Sequence, residues 1–150
     1  MKAVIQRVHH AKVEVNQQTV GQIEHGVLVY LGLAHGDTLA VGQKMVDKIL
    51  NYRLFANAQD KLDYSLQDVG GGLLIVSQFT LLADTRSGRR PDFGGAMSPD
   101  DARDLFAHIV RYAHSQYTNV ATGEFGADMQ VISCNDGPIN FIFELVAERV

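Results

Sequence analysis

Gly70-Gly71-Gly72-Leu73-Leu74-Ile75-Val76-Ser77-Gln78-Phe79-Thr80-Leu81-Leu82 is the stretch on which the architecture turns. The glycines break whatever precedes them. Leu73–Val76 then reads as a strand buried on both faces, running into the polar-dotted segment Ser77–Leu82. Helical patterns flank this strand on both sides. Upstream, Asp37 reads as the N-cap of a helix reaching about Phe55, with Val41, Met45, Val46, Ile49, Leu50 and Leu54 on one face. Gly42 lies inside that helix at a cost of about 1 kcal/mol relative to alanine. Downstream, Ser98-Pro99-Asp100-Asp101 has the form of a helix start: a cap serine, a proline at the first position and acids in the first turn. Ala102, Leu105, Phe106, Ile109, Val110 and Ala113 continue it as an apolar stripe to about Tyr117, with Tyr112 and Tyr117 packing.

Strand patterns fill both ends of the chain. Residues 2–8 and 11–15 are β-prone, Asn16-Gln17-Gln18 suits a hairpin turn into Val20–Ile23, and Val27–Leu33 is a nearly continuous apolar run. Val120–Gly123 reads as a short strand. Met129–Ser133 and Ile139–Val146 read as strands joined by a sharp turn at Asn135-Asp136-Gly137-Pro138. Several strands, a helix, a strand, a helix and several more strands predict an α+β fold: a mixed, largely antiparallel sheet system, layered or barrel-like, with two main packed helices. There is no regular βαβ alternation and no GxGxxG, which argues against a dinucleotide fold.

The 150 residues suit one domain, 1–150, without repeat or linker. An apolar share of 46% and a charged share of 20% are ordinary for a globular protein. A net charge of -4 gives no general basic character, so a nucleic-acid partner would need a local basic patch. The lone Cys134 excludes an intrachain disulfide, fits a reducing, cytoplasmic setting, and reads as core filler. Met1–Arg7 reads as a first strand and not as a signal peptide. The apolar runs fall short of the ~20 residues needed to span a bilayer, so no membrane partner is expected.

The candidate chemistry is sparse. In a regular strand Ser77, Phe79 and Leu81 would share one face, and Gln78 and Thr80 the other. Neither Ser77 nor Thr80 has a base at local spacing, as an activated nucleophile requires. The alternatives are ordinary polar residues at a strand end, or main-chain amides that stop pairing there and act as an oxyanion hole. Gly137-Pro138 reads either as a plain turn or as a cis peptide that another chain or a ligand can approach closely. Arg86, Arg89 and Arg90, in the glycine-bearing loop 84–97, could neutralise phosphates or simply be solvated. His9, His10, His25, His35, His108 and His114 show no zinc spacing, and no metal or other cofactor is expected.

Ser77-Gln78-Phe79-Thr80-Leu81 followed by Ala83-Asp84-Thr85, together with Asn135-Asp136-Gly137-Pro138, resembles the D-aminoacyl-tRNA deacylase family, also called D-tyrosyl-tRNA deacylase. The likeness extends to Met1–Val8, Arg90-Pro91, Ser98-Pro99, Thr122-Gly123-Glu124-Phe125 and Met129-Gln130-Val131. The resemblance implies a cytoplasmic homodimer that hydrolyses the ester between a D-amino acid and the terminal adenosine of tRNA, with glycyl-tRNA as a secondary substrate. It implies that Gly137-Pro138 is cis and inserts into the other subunit's site, leaving no room for an L side chain. It also implies that Ser77, Gln78, Phe79 and Thr80 line the catalytic pocket. Main-chain amides and the 2′-hydroxyl of the RNA would then assist attack, with Thr80 as nucleophile the alternative within the family. A non-catalytic dimeric RNA-binding module is the alternative outside it. Ile139-Asn140 departs from the valine and threonine usual after Gly-Pro, which puts hydrogen bonding around the motif in question.

Overall fold

The computed structural model describes residues 1–147; Glu148–Val150, which the single-domain expectation includes, lie outside the described residues. In chain order the elements are β1 Lys2–Val15, β2 Gln18–Ile23, β3 Gly26–Gly32, α1 Leu39–Asn51, β4 Phe55–Ala56, β5 Leu62–Tyr64, α2 Leu66–Val69, β6 Gly72–Ser77, α3 Pro99–Gln116, β7 Val120–Thr122 and β8 Gln130–Glu144.

β1 organises the sheet. Its first half, Lys2–Val8, pairs antiparallel with β3, and its second half, Ala11–Val15, pairs antiparallel with β2. Its other edge pairs antiparallel with β8 along nearly its whole length. The mixed character comes from β3, β6 and β7, which run parallel to one another. The sheet curls until β7 meets β2: a Cβ on Gly21 would fall 2.1 Å from the Thr122 carbonyl oxygen. The result is a nearly closed, barrel-like mixed sheet, as the element pattern predicts.

Two apolar layers follow. Ile5, Val29, Leu73 and Ile75 on one face of the sheet meet Met45, Ile49 and Leu50 of α1 and Phe106, Ile109 and Ala113 of α3. Val8, Ala11, Val13, Leu28, Leu74 and Val76 fill the inside of the curl. β3 and β6 supply both layers, which is why each reads as an unbroken apolar run.

Several expectations need correction. Thr38, not Asp37, caps α1, accepting from the Val41 amide at 3.3 Å. The Asp37 carboxylate is already engaged by the Ala34 amide at 2.7 Å and the Met1 ammonium at 3.0 Å. The helix ends at Asn51, short of Phe55, because Leu54 and Phe55 are drawn into pairing with Tyr64. β6 stops at Ser77, and Phe79–Leu82 forms a 3₁₀ turn rather than a continued strand. Asn135–Pro138 does not turn between neighbouring strands, since both limbs of β8 pair with β1. Between the Gln6–Asn140 and Val8–Asn135 pairs, two steps along β1 face five along β8, so the motif bulges out of a single strand. Cys134 is exposed and not core filler, because β8 lies at the sheet edge with β1 its one strand partner among the described residues. The α3 tyrosines do pack, half-buried, with Tyr112 donating to Asp47 and Tyr117 to the Leu66 and Gly71 carbonyls.

Gly42 finds its reason in the helix contact. A Cβ there would lie 2.5 Å from Cγ1 and 2.6 Å from Cδ1 of Ile109 on α3. Overpacking of this kind typically costs about 1–3 kcal/mol and outweighs the ~1 kcal/mol that alanine gains in helix propensity. Gly42→Ala is therefore expected to lower the urea midpoint in the unaltered chain and to raise it in an Ile109→Ala background. That sign reversal is read from a double-mutant cycle.

Candidate active site

The segment following β6 lines a concavity. Ser77, Gln78 and Phe79 form one wall of a cavity of about 530 Å³, faced by Leu33, Phe93, Met97, Pro99, Phe125 and Met129. The geometry follows from the abrupt end of β6. Gln78 still donates its amide to the Leu31 carbonyl at 2.9 Å, but its backbone, at φ -147° and ψ 87°, turns the chain into the 3₁₀ turn. The first amides of such a turn have no acceptor inside it. The Leu81 amide reaches the Gln78 carbonyl at 3.4 Å, whereas the amides of Phe79 and Thr80 find no backbone acceptor among the described residues.

The side chains here are poor in acid–base chemistry. Among the described residues, none that borders the cavity carries an ionisable side chain. Thr80 does not border it, and its hydroxyl accepts a hydrogen bond from the Gln78 side-chain amide. Gln78 is therefore a donor to Thr80 and not a base for it. Among the described residues, no three His, Cys, Asp or Glu side chains gather as a metal cage. Phe79 is 58% exposed and meets Phe93 edge-on with ring centroids 5.1 Å apart, leaving an aromatic surface at the cavity mouth.

The second motif stands apart. Gly137 and Pro138 are exposed and do not border the cavity of their own chain. The peptide bond between them is cis, and Gly137 has φ +124°, a conformation that L residues rarely adopt. β1 braces this bulge. Arg7 donates from Nε to the Asp136 carbonyl at 3.3 Å and from Nη1 to the Leu54 carbonyl at 2.9 Å, and pairs with the Asp136 carboxylate at 3.2 Å. Asn135 Nδ2 donates to the Arg7 carbonyl and to Asn140 Oδ1, both at 3.0 Å. Asn140, paired with Gln6 where the ladder resumes, thus supplies an acceptor at the far end of the bulge.

Arg7 is the residue that sequence reasoning missed, although a signal was present. Alternation from Ala3 and Ile5 places Arg7 on the core-facing side, and a cation so placed needs a partner. The three loop arginines separate into two kinds. Arg86 forks onto Asp84, with Nε at 2.9 Å and Nη2 at 2.7 Å from its carboxylate oxygens, while Arg89 and Arg90 lie exposed on the loop.

The comparisons fit this geometry. The model of the family described as D-Tyr-tRNA(Tyr) deacylase matches residues 4–144. A D-aminoacyl-tRNA deacylase of Psychrobacter arcticus is 61% identical over 150 residues, spanning 97% of this chain and 99% of the relative. A D-aminoacyl-tRNA deacylase of Acinetobacter baumannii is 54% identical over 147 residues, spanning 98% and 100%. Among solved structures, a c-Myc DNA unwinding element binding protein superposes with a TM-score of 0.92 at 37% identity, over 98% of this chain and 100% of that one. A probable eukaryotic D-amino acid tRNA deacylase shares the fold, with a TM-score of 0.81 at 17% identity over 96% and 98%. This chain belongs to the D-Tyr-tRNA(Tyr) deacylase family.

The Asp84–Arg86 fork makes a direct test of the loop. Hydrogen bonds from the Arg86 side chain, and then from its backbone amide, hold the Asp84 carboxyl below the usual carboxylate range. A folded-state value below the unfolded one means that the fork's contribution is present above about pH 4 and lost as pH falls through the depressed value. NMR titration should find Asp84 depressed in the unaltered chain and returned toward the ordinary value in Arg86→Gln.

Proposed function

We propose that this chain hydrolyses the ester joining a D-amino acid to the 3′-terminal adenosine of tRNA, releasing both. The observation that carries the mechanism is a cavity of about 530 Å³ bordered by Ser77, Gln78 and Phe79 and, among the described residues, by no ionisable side chain. A site built this way relies on fixed dipoles and on its substrate. In this reading the unpaired amides of Phe79 and Thr80 polarise the ester carbonyl. Donors so placed are each worth about 2.7–4 kcal/mol of transition-state stabilisation. The neighbouring 2′-hydroxyl of the RNA then assists the attack of water.

Chirality is read by main chain in the same proposal. Two copies associate, and Gly137-Pro138 of one enters the cleft of the other. Its exposure, and its separation from the cavity of its own chain, support that arrangement. A hydrophobic pocket distinguishes one methylene by only ~1–3 kcal/mol. A stiff wall against the α-carbon instead introduces a clash for one enantiomer alone. Glycine has no side chain to clash, so glycyl-tRNA is accepted as a second substrate. The reaction belongs to the cytoplasm, where charged tRNA is found; no helix among the described residues is long and apolar enough to cross a membrane.

Matched D- and L-tyrosyl-tRNA provide the decisive assay: the D ester is expected to be cleaved and the L ester spared, and equal cleavage would remove the proposal. Thr80→Ala should keep activity within about tenfold, because no base among the described residues serves its hydroxyl; loss by three or more powers of ten would favour a threonine nucleophile. Arg89 and Arg90 are assigned to tRNA phosphates. Replacing both with glutamine should weaken tRNA binding and flatten the log affinity against log salt plot by about 0.7–0.9 per lost contact.

A further inference from the structure

The bulge at residues 136–139 leaves the ladder between β1 and β8, so side chains must fix its orientation. Asp136 stands at the centre of that anchoring. Arg7 Nε lies 3.2 Å from one carboxylate oxygen, and His9 Nε2 lies 3.4 Å from the other. Arg7 and His9 are two residues apart on β1 and straddle Val8, whose partner across the ladder is Asn135. The carboxylate is therefore gripped from both sides of the point where the bulge leaves the sheet. The Arg7 side chain is only 13% exposed and that of Asp136 26%, so this contact is partly shielded from water, whereas His9 at 61% is open. The grip continues under the motif itself: a Cβ on Gly137 would lie 3.2 Å from Arg7 Nη2, so the guanidinium backs the glycine directly.

We infer that Asp136 is a positioning residue for enantiomer selection, its carboxylate held between Arg7 and His9 so that Gly137 and Pro138 are presented in one fixed orientation. The inference rests on the reading that this motif discriminates D from L substrates. Asp136 touches neither substrate nor cavity in this assignment. It acts by holding the Arg7 guanidinium beside Gly137 and by tying the start of the bulge to β1. An asparagine would keep the size and the Asp136 carbonyl bond, but it would offer an NH₂ group to a site already crowded with donors. A partly shielded ion pair lies between the exposed and the buried case, so its loss corresponds to roughly a factor of ten.

The test compares kcat and KM for D- and L-tyrosyl-tRNA in the unaltered protein, Asp136→Asn and His9→Gln, with urea midpoints measured alongside. Asp136→Asn is expected to lower the D:L ratio of kcat/KM by about tenfold while leaving the midpoint nearly unchanged. His9→Gln, at an exposed position that tolerates replacement, should lower the ratio by about threefold and decides the matter if Asp136→Asn does not fold. An unchanged D:L ratio in the folded variants overturns the role of Asp136, even if both rates fall together. Failure of the unaltered protein to discriminate overturns the parent reading instead, so the two failures are told apart.

Discussion

One strand constrains everything else. β1 gives its first half to β3, its second half to β2 and its opposite edge to β8. A strand shared three ways fixes the curl of the sheet and hence the enclosed apolar layer. It also fixes where the chain departs from regular pairing, because the handover from β3 to β2 falls at His9 and His10, just past Arg7, opposite which β8 bulges. Antiparallel ladders of this length tolerate no slip, since a one-residue shift would turn the buried faces of β1 outward.

That frame separates rigidity from chemistry. β3 and β6 are buried on both faces and hold the end of β6 still, and the segment from Ser77 to Phe79 borders the cavity just where the ladder stops. The family to which the chain belongs and the lack of ionisable groups around the cavity among the described residues support the same proposal: hydrolysis assisted by backbone donors and by the substrate's own hydroxyl. In that reading, selectivity depends less on pocket volume than on how stiffly Gly137 and Pro138 are carried. The contacts from Arg7 and Asn135 bear on that stiffness.

Much of the fold was legible because burial imposes periodicity. The α1 and α3 stripes, the doubly buried β3 and β6, and the Asn16-Gln17 hairpin turn all follow rules local to a few residues. What escaped was settled by partners distant in sequence. Asp37 looks like a cap until the Met1 ammonium claims its carboxylate. Cys134 looks like core until β8 proves to be an edge strand. Asn135–Pro138 looks like a hairpin turn until both its flanks pair with one strand. The motifs bordering the site were visible as residues. The termination of β6 in a 3₁₀ turn was not, because nothing in Phe79-Thr80-Leu81-Leu82 itself opposes an extended chain.

Cys134 carries a practical consequence. It is the sole thiol in the chain, it is exposed, and it immediately precedes the Asn135–Pro138 bulge. A nitroxide or fluorophore attached through a maleimide would therefore report from one defined point, with no cysteine needing to be engineered in or out. In an assembly of two copies such labels would form a single pair, and dipolar spectroscopy on that pair would measure how far apart the two bulges sit in solution.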